Sequence, residues 1–411
     1  MDNYNLVAGL DIGAAKTVIL VGEMNDHGEL NIIGAGEHST QGLRKGSIVD
    51  IEGVTNTIRQ ALAQAERMCD CHLRNVYLAV TGTHLSSMNN KGVIAITNRN
   101  REISSDDVTR VLQASKVVAL PQDRKIIHIH PRQYTVDGHE GIVDPVGMAG
   151  ARLEVEINIV SASGTALQNL LRCVNKAGLQ EEELLPAGLA SAEAVLLPEE
   201  KDLGCLLVDI GGSVTDCAIF DQGRLWASSV IPVGGNLITN DIAIGLRIPV
   251  ELAEEIKIDH GCVSHSLVIA QETIALPDII VQETKKVAPK TLTGIIEPRM
   301  REILSLIKDE VKRVGYRGVF PGGMIITGGA AQLTGLAELA AEEMDLPVRI
   351  GYPKEIKGVS EAVHSPAYAT AAGLVLYGAG NLSYLQAAPA GERFFGGVVN
   401  RVKHLFGDFF A

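Results

Sequence analysis

The chain contains one short pattern twice, and that repetition limits what it can fold into. Residues 206–216 read LLVDIGGSVTD: an apolar run ends in Asp209, turns at Gly211 and Gly212, and passes through Ser213, Thr215 and Asp216 into a second apolar run. Residues 6–21 read LVAGLDIGAAKTVILV, with Asp11-Ile12-Gly13, Ala14, Lys16 and Thr17 between two apolar runs. A strand, a glycine turn and a returning strand form a hairpin whose backbone amides face an anion without a side chain in the way. A carboxylate at the strand end, Asp11 or Asp209, is well placed to hold Mg²⁺ through a water. A third glycine turn, Gly328-Gly329-Ala330, follows the apolar run 324–327. One such turn alone is equally a plain hairpin. Two of them, with the third in order, make a two-lobed phosphate cradle. The chain has no G-x-x-x-x-G-K-[ST] and no G-x-G-x-x-G after a strand, so it is neither a P-loop nor a dinucleotide-fingerprint protein.

With 411 residues the chain exceeds one ordinary core, so two lobes are expected. At 46% hydrophobic and 21% charged it is globular. Its net charge of −13 argues against nucleic acid as the main partner, since phosphate backbones are bound by clustered Lys and Arg. The opening MDNYNLVAGLD has no basic region before a long apolar one, so no signal peptide is expected. No run approaches the ~20 apolar residues of a membrane-spanning helix. The six cysteines are scattered, and Cys69-Asp-Cys71 lacks the C-x-x-C spacing of zinc or redox pairs. Reduced thiols are expected.

The patterning predicts an α/β protein. Residues 6–22 and 30–36 read as strands, 54–69 as a helix by apolar spacing, and 76–80 as a strand. An α+β insertion follows at 83–162: strand 92–97, helix 105–118, strand 126–136, a polar loop and a long strand 151–161. Helices are expected at 165–177 and 190–197, then the hairpin 206–220. The Gly234-Gly235-Asn236 turn ends a strand and opens a helix. Pro249 suits the first turn of a helix through 258. The stretch 294–314 is long and amphipathic, 324–327 is a core strand and 333–344 a helix. Ser365-Pro366 opens a small-residue helix through 377. Residues 378–391 read as a linker before a distinct tail.

These residues resemble the actin-like ATPase superfamily, and within it the FtsA family of bacterial cell-division proteins, over essentially the whole chain. The family's first turn is matched by Asp11, Ile12, Gly13 and Lys16, its second by residues 209–216, and its adenosine turn by Thr327-Gly328-Gly329-Ala330-Ala331. A family stretch A-E-x-I-K-x-x-x-G is matched by Ala253, Glu254, Ile256, Lys257 and Gly261. The resemblance implies that Glu254 and Lys257 contact ribose and adenine. They are i,i+3 and share a helix face, as a clamp on a sugar needs, though a surface Glu–Lys pair has the same spacing. Gly234-Gly235-Asn236 resembles the turn beneath ribose and phosphates.

The insertion sits where FtsA carries subdomain 1C. The implied division is 1A over 1–82, 1C over 83–162, 1A again over 163–200, and 2A over 201–240. Subdomain 2B then covers 241–318, 2A resumes over 319–362, and 363–380 returns to 1A. The linker is placed at 381–391 and an amphipathic helix at 392–411. Two departures stand out. Ala14 replaces the usual hydroxyl residue, and in the stretch PAGLASAEAVL (186–196) no Glu or Gln stands where the resemblance implies a water-orienting side chain. Phosphoryl transfer needs a placed nucleophile as well as a charge clamp. ATP (or ADP) and Mg²⁺ are therefore expected to bind with at most weak turnover, Asp11 and Asp209 holding the metal, with a general-base role for either as the alternative.

The tail concentrates aromatics. Of seven Phe, five are Phe394, Phe395, Phe406, Phe409 and Phe410. On a helix, Phe394, Val398, Val402, Leu405, Phe406 and Phe409 form one continuous face, which Phe395 and Phe410 widen. Asn400, Arg401, Lys403, His404 and Asp408 lie opposite. A helix docked on the core has this pattern too. The pattern fits an in-plane membrane anchor, strengthened by avidity in an assembly, and it resembles the FtsA membrane-targeting helix. The resemblance implies a self-assembling peripheral protein on the cytoplasmic face of the inner membrane at the division site. Such a protein tethers FtsZ through its C-terminal peptide, with Arg299 and Glu302 in the implied 2B site, and recruits later division proteins through 1C. A sugar-kinase-like phosphotransferase and a pilus-assembly relative are the competing classes. The tail counts against both, and a chaperone would need a substrate-binding domain after the ATPase.

Overall fold

The structure, a computed structural model, describes residues 5–25, 27–267, 273–277, 284–354, 356–358 and 361–387. The expected tail, with its aromatic face, lies outside the described residues.

Each lobe is built on the same sheet plan. In the first, Leu6–Ile12 pairs antiparallel with Lys16–Met24, which pairs antiparallel with Leu30–Ser39. On its other side Leu6–Ile12 pairs parallel with Asn75–Val80, and that strand with Gln180–Pro186. In the second lobe Cys205–Ile210 pairs antiparallel with Thr215–Asp221, and that with Arg224–Ile231. Cys205–Ile210 also pairs parallel with Met324–Thr327, which pairs with Val348–Ile350. Both hairpins therefore end at the same place, the turn after the central strand. The central strands are continuous apolar runs because both faces are covered.

Between the sheets runs the helix Ala187–Val195, crossed by Ala369–Ala387. Small residues permit the crossing: a Cβ on Gly373 would lie 1.6 Å from Ala190 O. Their contact belongs to an apolar core that joins Val7, Leu20 and Leu374 of one lobe to Leu207, Phe220 and Ile325 of the other. Fully burying each such aliphatic side chain is worth roughly 1.5–3 kcal/mol.

The insertion is a four-stranded sheet ordered Ser86–Ala95, Arg152–Ser163, Arg124–Val136, His139–Ile142. Helix Ser105–Ser115 covers one face, started by a capping box between Ser104 and Asp107. The sheet of the insertion leans on the edge strand of the second lobe: Asn158 Nδ2 donates to Trp226 O at 3.2 Å, and the Arg132 guanidinium lies over the Trp226 ring.

Several elements differ from expectation. Gln180–Pro186 is a strand, not an unassigned connection; its polar start suits a sheet edge. The insertion's first strand is Ser86–Ala95 rather than 92–97. Residues 329–332 form a 3₁₀ turn, so the following helix starts at Leu336. The Ser365 cap opens the 3₁₀ turn Pro366–Tyr368, its hydroxyl accepting from Ala367 N at 3.3 Å. The helix after it runs to Ala387, so 378–387 is not linker. Gly378 misleads there, because it is glycine for packing: a Cβ would meet Val7 Cγ1 at 2.4 Å and the Tyr77 ring at 2.5 Å. No helix among the described residues is long and apolar enough to cross a membrane.

Candidate functional site

The three glycine turns meet in the cleft between the lobes. A Cβ on Gly212 would stand 3.2 Å from Ala15 N, so the two Asp-Ile-Gly hairpins nearly touch. The Gly234-Gly235-Asn236 turn is fastened to the second hairpin: Gly235 N donates to Gly211 O at 2.9 Å and Asn236 N to Gly212 O at 2.7 Å. Close approach demands glycine at 234, where a Cβ would lie 2.5 Å from Gly211 O. Gly328 has φ +88°, and a Cβ there would lie 2.3 Å from Asp209 Oδ1. Together they enclose a cavity of about 400 Å³.

Of the residues singled out in the sequence, Asp11, Gly13, Ala14, Lys16, Asp209, Gly211, Gly212, Ser213, Asp216, Gly235 and Asn236 line this cavity. Glu254, Lys257, Gly328, Gly329 and Ala330 line it as well. Two do not. Thr215 is fully buried behind the hairpin, its hydroxyl donating to Val233 O at 2.8 Å, and Gly234 serves the turn's packing. Arg299 and Glu302 lie elsewhere, on the helix Pro289–Arg313. Arg299 is already engaged there, by Asp241 at 2.5 and 3.1 Å and by Glu302.

One end of the cavity is acidic. Burial pushes the Asp11 carboxyl up to about 7, with the nearby Asp209 charge adding and Lys16 opposing. Burial also raises Asp209, against hydrogen bonds from Ser191 Oγ at 2.5 Å and Thr370 Oγ1 at 3.1 Å. Asp216 is raised well above the carboxylate range by burial and by Asp209, against the Thr81 hydroxyl. Three buried carboxyls with one lining lysine nearby are unfavourable unless a cation joins them. Among the described residues no three acidic, His or Cys side chains are grouped to ligate a metal directly. Beside them the Ser213 hydroxyl is buried with no hydrogen-bond partner, a donor suited to a phosphate oxygen. Lys16 rests on Glu37 at 2.8 Å, its ammonium 3.5 Å from the Tyr368 ring centre.

At the other end, the helices Gly235–Leu246 and Val250–His260 carry a polar clamp. Lys257 Nζ donates to Glu254 Oε2 at 2.6 Å and to Thr239 Oγ1 at 2.9 Å. Sequence reading missed Ser191, Thr370, Thr81, Thr239 and Glu37. None of these carries a local sequence signal, since each reaches the site from a separate part of the fold.

A two-lobed cleft walled by paired Asp-Ile-Gly hairpins, with an adenosine-type glycine turn, defines an actin-like ATPase fold. Solved structures agree. The chain matches the PilM–PilN type IV pilus biogenesis complex at TM-score 0.64 and 18% identity, covering 91% of this chain and 98% of that one. It matches MreB5 of Spiroplasma citri bound to ADP at 0.56 and 14%, covering 93% and 99%.

Sequence comparison narrows the class. Residues 206–373 match the model of "Cell division protein FtsA", and 82–161 that of the "SHS2 domain inserted in FTSA". Cell division protein FtsA of Pseudomonas aeruginosa is 40% identical, over 91% of this chain and 89% of its own length. That of Bacillus subtilis is 39% identical, over 93% and 85%. The chain belongs to the FtsA family of actin-like cell division proteins.

Proposed function

We propose that the cleft binds ATP with Mg²⁺ and that the bound chain polymerises and tethers FtsZ filaments to the cytoplasmic face of the inner membrane at the division site. The observation that carries this reading is the meeting of three glycine turns around one cavity with an unsatisfied Ser213 hydroxyl. In it, the amides of residues 13–16 and 211–213 and the Ser213 hydroxyl hold the phosphates, and the turn 328–330 lies against the adenosine. Asp11 and Asp209 hold the metal through water, Ser191 and Thr370 fixing the Asp209 carboxylate. Mg²⁺ supplies neutralisation of the polyphosphate charge. Lys16 swings from Glu37 toward the phosphates. The helix Ala187–Val195 offers Ser191, already committed to Asp209, where a water-orienting Glu or Gln would stand. Turnover is accordingly weak.

In this reading the chain divides at the subdomain boundaries given above. The face of Phe394, Phe395, Val398, Val402, Leu405, Phe406, Phe409 and Phe410 lies in the lipid surface, with avidity from assembly making attachment lasting. Arg299 and Glu302 mark the surface for the FtsZ C-terminal peptide, and the insertion contacts the next protomer and later division proteins. The test is flotation on anionic liposomes with ATP and FtsZ, comparing the full chain with one ending at Ala387. The full chain alone should float and carry FtsZ with it. Equal behaviour of the two chains would refute the tether.

A further inference from the structure

One cavity-lining carboxylate stands apart from the three buried ones. Glu37 lies on the strand Leu30–Ser39, where it pairs with Val18 while Ser39 pairs with Lys16. Lys16 and Glu37 are therefore diagonal neighbours on one face of the sheet, a separation that long side chains span. Both line the cavity. Lys16 Nζ donates to Glu37 Oε2 at 2.8 Å, and the Tyr368 hydroxyl donates to the same oxygen. The ammonium also stands 3.5 Å from the centre of the Tyr368 ring. A carboxylate and an aromatic face thus hold the lysine of the first glycine turn from two sides. The backbone beneath each partner is fixed. Glu37 N donates to Gln64 Oε1 at 3.0 Å. Tyr368 closes the turn Pro366–Tyr368, whose Pro366 carbonyl accepts from Gly328 N at 3.2 Å and from the Thr327 hydroxyl at 3.3 Å. Burial pushes the Glu37 carboxyl up, but hydrogen bonds from Lys16 and Tyr368 outweigh it and hold the group below its ordinary range. It is an anion at neutral pH.

From this we propose that Glu37, steadied by Tyr368, is a positioning residue that competes with the phosphates of a nucleotide for Lys16, and so sets how strongly the cleft favours a polyphosphate over a monophosphate. This rests on the nucleotide-binding reading above and goes beyond it by giving Glu37 a role. A ligand that draws Lys16 onto its phosphates gains the ammonium charge, but it breaks the ion pair and leaves Glu37 facing further negative charge. A ligand too short to reach Lys16 leaves the cradle intact and meets no such cost. The two side chains of the pair are 29% and 47% exposed, so the contact is a weak lock and not a block. Ion pair and ring contact together are worth about three- to tenfold in an equilibrium constant.

The test is calorimetric titration of the full chain with Mg²⁺ and either ATP or AMP at low salt. E37Q keeps the side-chain shape and loses the charge. It should tighten ATP binding by about three- to tenfold and leave AMP unchanged. K16M should weaken ATP binding, and adding E37Q to it should bring no gain. Tighter binding is a readout that a misfolded variant does not give. Unchanged or weaker ATP binding in E37Q, or an equal gain for AMP, would overturn the proposal. So would a gain that survives in the double variant E37Q/K16M, because it would show plain charge repulsion in place of competition for Lys16. No binding of either nucleotide by the native chain would instead overturn the reading beneath it.

Discussion

The Thr81 hydroxyl lies 2.7 and 2.9 Å from the two carboxylate oxygens of Asp216, joining the residue that leads into the insertion to the acidic end of the cleft. Thr81 follows the strand Asn75–Val80 directly, while Asp216 pairs with Asp209 across the second hairpin. The insertion is thus anchored at the interlobe cavity itself as well as on the edge strand of the second lobe. Thr81→Val leaves a buried carboxyl without its donor and should cost about 1–3 kcal/mol. Thr81→Ser should recover most of it. Urea denaturation of the three chains measures this; an unchanged midpoint in Thr81→Val would show the bond to be idle.

The acidic end of the cavity gives a pH dependence whose sign is fixed. The Asp11 carboxyl titrates at about 7 in the folded chain against 3.8 ordinarily, and Asp209 and Asp216 move the same way. Between those values the folded chain holds more protons than the unfolded one. Without ligand, stability is therefore greatest at the acid end of this window and falls as pH rises from about 4 to about 7. Asp11→Asn should flatten that fall and raise stability near pH 8. Thermal melts from about pH 5 to 8 check it, and equal slopes in both chains would contradict it.

Where Gly373 crosses Ala190 in the interlobe core, a Cβ on Gly373 would lie 1.6 Å from the Ala190 carbonyl oxygen. Gly373→Ala must force the helices Ala187–Val195 and Ala369–Ala387 apart. A loss of at least about 1–3 kcal/mol is expected from overpacking, measured by chemical denaturation. A variant as stable as the parent would mean the helices separate freely.

Arg299 is not a free cation waiting for an acidic peptide. Hydrogen bonds to Asp241, with the charges of Asp241 and Glu302, hold its guanidinium above the usual arginine range. On the proposed reading, a carboxylate from the FtsZ C-terminal peptide would have to displace an internal fork. Asp241→Asn should therefore tighten peptide binding several-fold at low salt, and Arg299→Ala should weaken it. Fluorescence anisotropy with a labelled peptide checks both, and two unchanged affinities would place the peptide elsewhere.

The sequence is most legible where chemistry is local. The hairpins at 6–24 and 205–221 each carry strand, carboxylate and glycine turn within one short stretch, so their shape can be read before any tertiary contact is known. Gly328 is legible for the same reason, since a strand followed by Gly-Gly demands an unusual turn. The supporting hydroxyls are not. Ser191, Thr370, Thr81 and Thr239 reach the site from separate elements, and a single Ser or Thr in an apolar helix has no local mark of its partner. Element ends failed where tertiary packing overrode composition. Gly378 looks like a helix stop yet lies within a helix because the Tyr77 ring presses on it, and Gln180–Glu182 look like loop yet complete a parallel sheet edge.

Whether the cleft holds Mg²⁺-ATP can be read from calorimetric titration. The native chain and Gly328→Ala should be compared with Mg²⁺ and with EDTA. Alanine at 328 is strained at φ +88° and drives a methyl onto Asp209. Binding by the native chain with Mg²⁺, weakened without it and lost at least tenfold in the variant, is the predicted result. No heat of binding from the native chain, or equal affinity in Gly328→Ala, would contradict it.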